Sequence, residues 1–86
     1  EVSEALIGRQ RFQEQITALE AVVLAQRRLA EVAELRYENG IAIYLEVVDA
    51  RRNLFSTEQQ LIQLRAAALQ NGVALYAARG GGLSGP

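Results

Sequence analysis

Cysteine and histidine are both absent from this sequence, lysine is absent as well, and the one proline is the last of its 86 residues. Each absence removes a class of function. Without thiols there is no disulfide framework and no thiolate metal site. Without imidazole the commonest metal ligand and general base is missing. No metal, no cofactor and no catalysis are therefore expected. With no lysine, nine arginines stand against ten acids for a net charge of -1, spread along the chain rather than gathered into a stripe. A nucleic-acid partner is not expected from such a surface. No apolar run reaches the roughly 18 residues that a spanning helix requires, and no signal-peptide pattern opens the chain. Glu1 is not a natural start, so a segment of a longer protein is expected. Glycine is scarce too: before Ala78 only Gly8, Gly40 and Gly72 occur.

What remains is half apolar, and Ala, Leu, Glu, Gln and Arg, all good helix formers, fill most positions between the glycines. The expected class is all-α. Gly40 divides the chain into two helices near 3–38 and 43–78, with a tip turn at 39–42. Each is about 54 Å long at about 1.5 Å per residue, far beyond an average globular helix. Residues 79–86, "RGGGLSGP", are expected to leave the second helix as a flexible Gly-rich tail.

In the first helix Phe12, Ile16, Leu19, Val23, Ala30 and Ala33 recur at spacings of three and four, with Gln26 as one polar gap. This is the period of a coiled-coil seam. Beside it runs a second stripe of Ala18, Val22, Ala25, Leu29 and Val32, leaving a polar ridge of Thr17, Glu20, Arg27, Glu31, Glu34 and Glu38 broken by Leu24. The second helix repeats the arrangement. One stripe holds Val47, Ala50, Leu54, Leu61, Leu64, Ala68 and Leu75; the other holds Val48, Phe55, Ile62, Ala66, Leu69, Val73 and Tyr76. Its ridge of Glu46, Asp49, Asn53, Ser56, Gln60, Gln63 and Gln70 is almost uncharged beyond the first turn. These periods predict a long antiparallel hairpin with Leu35 near Glu46 and Val47, Val22 near Gln59 and Phe12 near Leu69. A lone hairpin buries one stripe per helix and leaves the other wet, so assembly is implied.

Asn39-Gly40 fits the end of the first helix, because both residues tolerate the left-handed conformation that closes a helix C-terminus. On local grounds the stretch is a tight reversal, with Ile41 folding back on the seam. Glu46 and Asp49, three apart on one helical face, read locally as acids favoured by the helix dipole.

The run "AELRYENGIAIYLEVVDARRNLFSTEQQLIQLRAAALQNGVALYAARGGG" resembles the last helical hairpin of the outer membrane efflux proteins, the TolC-like ducts of tripartite pumps and type I secretion systems. The resemblance rests on Arg36-Tyr37 ahead of Gly40, on Leu45, Val48, Asp49 and Ala50 at the spacing of RY-x-x-G-x-x-x-x-L-x-x-x-D-A, on the Leu and Gln run, and on the glycines after Tyr76. "EVSEALIGR" at the start is similar to the family's lead into that hairpin.

The resemblance implies a fragment of an α-barrel. In the family each full chain supplies two such hairpins, and three chains close a twelve-helix barrel across the periplasm that continues as a β-barrel in the outer membrane. The neutral ridge of the second helix would line the lumen, where a mostly neutral polar wall avoids holding hydrated solutes tightly. Asn39, Gly40, Ile41 and Ala42 match the tip on which a periplasmic adaptor protein docks. Glu46 and Asp49 match the acids of the aperture, and Tyr37 matches a tyrosine of the network that holds it shut in some relatives. Ala42 departs from the pattern, standing where some members carry an arginine of that lock. The implied function is a passive channel component working with an adaptor and an inner-membrane pump, located in the cell outer membrane in its periplasmic portion. A homotrimer is implied for the full protein, and a dimer or four-helix bundle is expected for the fragment. The alternative is a structural or docking coiled coil, such as the hairpin of a periplasmic adaptor, which also has long heptads and a tip turn.

Overall fold

The computed structural model describes residues 2–78, with side chains described over 6–73 and at 76. The expected tail at 79–86 and the seam position of Leu75 lie outside the described residues. Helix α1 spans Val2–Glu38 and helix α2 spans Tyr44–Ala78, and they pack against each other antiparallel. The chain is an all-α hairpin.

Its extents are 64 × 19 × 15 Å and its radius of gyration 19.3 Å, against about 12 Å for a compact domain of this length. So elongated a shape has little interior. Among the described residues the buried side chains are Val23, Ala30 and Ala33 from α1, and Val47, Thr57 and Leu61 from α2. Phe12, Ile16, Leu19 and Gln26 extend this line on α1 as half-buried residues, and Ala50, Leu54, Leu64 and Ala68 do so on α2. The seam therefore follows the first stripe of each helix.

Besides Gln26, two more polar residues sit within it. Thr57 occupies the step between Leu54 and Leu61, and its hydroxyl donates to the Asn53 carbonyl at 2.7 Å, which satisfies the buried oxygen within the helix. Near the open end Gly8 faces Asn71, where a Cβ on Gly8 would lie 3.1 Å from the Asn71 amide oxygen. The absence of a side chain lets the helices approach there.

The second stripe of each helix stays in solvent. Val22, Leu29 and Val32 on α1 are 43–57% exposed, and Phe55, Ile62, Leu69, Val73 and Tyr76 on α2 are 57–72% exposed. The total accessible surface of 6369 Å² exceeds the roughly 5,000 Å² expected of a compact monomer of this mass. The hairpin has the surface of a piece of something larger. Among the described residues no helix is long and apolar enough to cross a membrane.

Candidate functional site

Helix α1 ends because Gly40 turns left-handed, with φ 73°, a conformation that costs a residue with a Cβ far more than it costs glycine. The Ile41 amide then donates back to the Arg36 carbonyl at 2.8 Å and the Gly40 amide to the Tyr37 carbonyl at 3.0 Å. These are the two bonds of a Schellman closure with Gly40 as its left-handed residue. The Ala42 amide also reaches Arg36 O, at 3.2 Å. Asn39 reinforces the end: its backbone and side-chain amides both donate to Leu35 O, at 3.0 and 2.7 Å. Carbonyls left over at the end of a helix thus find partners within the turn.

Ile41 does not fold back on the seam as its apolar character predicts. It is 65% exposed, as is Ile43, and Leu45 is 58% exposed. The left-handed step directs the chain outward before α2 begins, so the tip presents apolar side chains to its surroundings. Across the turn the Tyr37 and Tyr44 rings meet edge to face with centroids 5.2 Å apart, an arrangement favoured by the aromatic quadrupole.

Glu46 and Asp49 both lie exposed on the first turns of α2. The Glu46 amide donates to the Ile43 carbonyl at 3.1 Å, and no Ser, Thr, Asp or Asn caps this end, so the carboxylate of Glu46 is the charge that complements the helix N-terminus. A guanidinium nitrogen of Arg36, in the last turn of α1, lies 3.8 Å from a Glu46 carboxylate oxygen. The two acids are therefore unequal. Glu46 has a cation of its own chain beside it, and Asp49 stands one turn further along the same exposed ridge. The rest of that ridge, Asn53, Ser56, Gln60, Gln63 and Gln70, is exposed throughout.

Sequence reasoning missed the cross-helix ion pairs. Arg65 meets Glu20 at 2.8 Å, Arg27 meets Glu58 at 3.3 Å, and Arg51 pairs with Glu34. Helical period alone places Glu20, Arg27 and Glu34 on a polar ridge, while the signal of the rungs is their spacing of seven, matched by Arg51, Glu58 and Arg65. These six residues each follow a seam residue, whereas Glu46, which Arg36 meets, precedes the seam residue Val47. At about 100° per residue the two sets fall on opposite flanks of the seam. The charged ridge of α1 and the acid-tipped neutral ridge of α2 thus lie on opposite faces of the hairpin. Among the described residues no cluster of acids forms a metal site.

The class defined by these features is a long helical hairpin with one closed seam, a second apolar stripe on each helix and an acid-flanked tip. Residues 1–81 match the family model described as "Outer membrane efflux protein", and the chain belongs to that family. It is 45% identical over 82 residues to the "Probable efflux pump outer membrane protein TtgC" of Pseudomonas putida (strain KT2440), covering 95% of this chain and 17% of that protein. To the "Cation efflux system protein CusC" of Escherichia coli (strain K12) it is 40% identical over 82 residues, 95% of this chain and 18% of that one. To the "Toluene efflux pump outer membrane protein TtgI" of Pseudomonas putida (strain DOT-T1E) it is 36% identical over 84 residues, 98% of this chain and 18% of that one. The chain spans less than a fifth of the length of these relatives. No solved structure matches it. Family membership favours an efflux channel component over the adaptor hairpin, and the relatives' names are those of efflux proteins rather than enzymes.

Proposed function

We propose that this chain is the periplasmic tip hairpin of an outer membrane efflux duct, a passive wall element of a tripartite pump or type I secretion system. The observation that carries the reading is the tip itself. A left-handed Gly40 closes α1, and Glu46 and Asp49 follow on one exposed face of α2. The outer stripes would be covered by neighbouring hairpins, closing a barrel whose other helices come from the rest of the chain and from two further copies. Such a wall needs apolar contacts on two sides of every helix and leaves only a narrow ridge for solvent.

In this reading the ridge of α2 from Glu46 to Gln70 faces the lumen, and the charged ridge of α1, on the opposite face, meets the periplasm. Three chains would bring three copies each of Glu46 and Asp49 to the mouth, a ring that attracts cations and repels anions. Arg36 offsets part of the charge of Glu46, so Asp49 supplies more of the field. Tyr37 and Tyr44 brace the turn behind them. An arginine lock at position 42 is missing, and the Arg36–Glu46 pair is the charged contact nearest to taking its place.

Asn39, Gly40, Ile41 and Ala42 form the docking tip for the periplasmic adaptor. The exposed side chains of Ile41 and Ile43 would give that contact an apolar centre, the kind of patch a partner covers. The inner-membrane pump would then be reached through the adaptor. Site-directed cross-linking checks this: Ile41→Cys in the full-length protein, in cells, is expected to give an adaptor-sized adduct, and Arg52→Cys, far from the tip face, none. Adduct formation at position 52 and none at 41 contradicts the docking assignment.

A further inference from the structure

The chain has neither cysteine nor methionine, so its amide side chains are its thermolabile groups. Three asparagines occur, and two of them, Asn39 and Asn71, directly precede glycine. An Asn-Gly pair reacts with itself. The glycine amide nitrogen attacks the Asn side-chain carbonyl carbon, the new N–C bond closes a five-membered succinimide, and the side-chain nitrogen leaves as ammonia. Water then opens the ring. Opening at the former side-chain carbonyl gives aspartate; opening at the main-chain carbonyl gives isoaspartate, in which the chain runs through an extra methylene. No oxidant or reductant takes part. Glycine favours the attack because it has no Cβ to obstruct the approach.

The two pairs are chemically alike, Asn-Gly-Ile at the tip and Asn-Gly-Val in the second helix. The fold sets them apart. Ring closure requires the Asn main chain to rotate out of a helical setting and the glycine amide to give up its hydrogen bond. Asn71 lies inside α2, which runs on to Ala78, so the Gly72 amide belongs to the helical ladder. The Asn71 side chain is half-buried against α1, its oxygen 3.1 Å from where a Cβ on Gly8 would lie. Freeing this pair means unwinding α2 and parting the seam.

Asn39 stands one residue beyond α1, and both it and Gly40 are exposed. Two hydrogen bonds restrain the reacting groups: the Asn39 side-chain amide donates to the Leu35 carbonyl at 2.7 Å, and the Gly40 amide donates to the Tyr37 carbonyl at 3.0 Å. They lie at a helix end, where local opening costs least. A Cβ built at Gly40 meets nothing within 4 Å, so the turn has open space around it.

We propose that Asn39 is the chain's site of spontaneous deamidation and that its conversion undoes the tip closure, while Asn71 is preserved by its helix. The aspartate or isoaspartate formed has no side-chain N–H to give the Leu35 carbonyl. It sets a negative charge beside Glu38 at the C-terminal end of α1, where the helix dipole disfavours it, and isoaspartate also lengthens the turn that Gly40 closes. The inference concerns the hairpin alone and does not rest on the duct reading; in that reading the altered residue lies on the docking tip.

Tryptic cleavage after Arg36, Arg51, Arg65 and Arg79 puts the two pairs in separate peptides, 37–51 and 66–79. The chain is aged in mildly alkaline buffer, both folded and in concentrated guanidinium chloride. Acid formed in each peptide is followed by mass spectrometry, and isoaspartate is counted by isoaspartyl methyltransferase labelling. In the folded chain, helical by circular dichroism, peptide 37–51 is expected to convert at least tenfold faster than 66–79; in denaturant the two should convert at similar rates. Equal rates in the folded chain overturn the proposal. So does a tenfold difference that persists in denaturant, because the selectivity would then belong to the sequence. Asn39→Asp, which copies one product, is expected to melt below the parent, and an unchanged melting temperature overturns the claim that conversion undoes the closure.

Discussion

Replacing a single glycine by alanine should act with opposite signs at two places in this hairpin. Gly40 holds φ 73°, and a Cβ built there meets nothing within 4 Å. Gly40→Ala therefore brings neither a clash nor a new contact. Its cost is the left-handed backbone penalty alone, about 1–2 kcal/mol. Gly72 lies inside α2, and a Cβ there likewise meets nothing within 4 Å. Gly72→Ala should stabilise by about 0.5–1 kcal/mol, the usual gain from removing an interior helix glycine. With about 4–8 °C of melting temperature per kcal/mol for a domain of this size, Gly40→Ala should melt roughly 5–15 °C lower and Gly72→Ala a few degrees higher. Thermal melts followed by circular dichroism, all at one low-micromolar concentration so that association does not differ, provide the assay. A neutral or stabilising Gly40→Ala would refute the argument that the left-handed closure organises the tip.

Other expectations follow from the seam and its flanks. Leu61→Ala removes the one buried leucine side chain among the described residues and should cost about 2–3 kcal/mol, near the low end for such truncations because a thin seam can collapse around the gap; chemical denaturation measures it. A double-mutant cycle on Arg27 and Glu58 should give a coupling of about 0.2–1 kcal/mol that shrinks in 1 M salt, and a coupling insensitive to salt would count against a screened surface pair. The chain itself should associate, most simply as an antiparallel dimer forming a four-helix bundle, because its outer stripes remain wet. Sedimentation at high micromolar concentration tests this, with Phe55→Gln and Ile62→Gln together expected to weaken the association at least tenfold and a stable parental monomer counting against it.

Much of the hairpin was legible in the sequence because its signals are local or strictly periodic. The seam of Phe12, Ile16, Leu19 and Val23 on α1 and of Val47, Leu54 and Leu61 on α2 follows from spacing alone, and the Asn-Gly closure follows from backbone sterics at one residue. Ile41 was misjudged for a physical reason: its apolarity suggests burial, but the left-handed step at Gly40 aims it outward. Thr57 was overlooked because a hydroxyl seems out of place in a seam until its bond to the Asn53 carbonyl is seen. The charge rungs were present at seven-residue spacing, yet pairing them requires the register of two distant segments, which neither helix states by itself. The unequal surroundings of Glu46 and Asp49 were likewise hidden, since the distance from Arg36 to Glu46 depends on how the turn closes. Lumen, docking surface and pump belong to the proposed assembly and not to the hairpin itself, and their assignment rests on family likeness joined to the tip geometry.

Ion selectivity of the full-length duct in a planar bilayer tests the aperture assignment most directly. Replacing Glu46→Gln and Asp49→Asn together should weaken cation preference and reduce block by multivalent cations while the trimer still forms. Asp49→Asn alone should account for more of the change than Glu46→Gln, because Arg36 stands 3.8 Å from Glu46. Acids that serve only the helix N-terminus would leave conductance and ion preference unchanged and cost a little stability instead. Unaltered selectivity in a correctly assembled double variant would contradict the placement of these residues at the mouth of the duct.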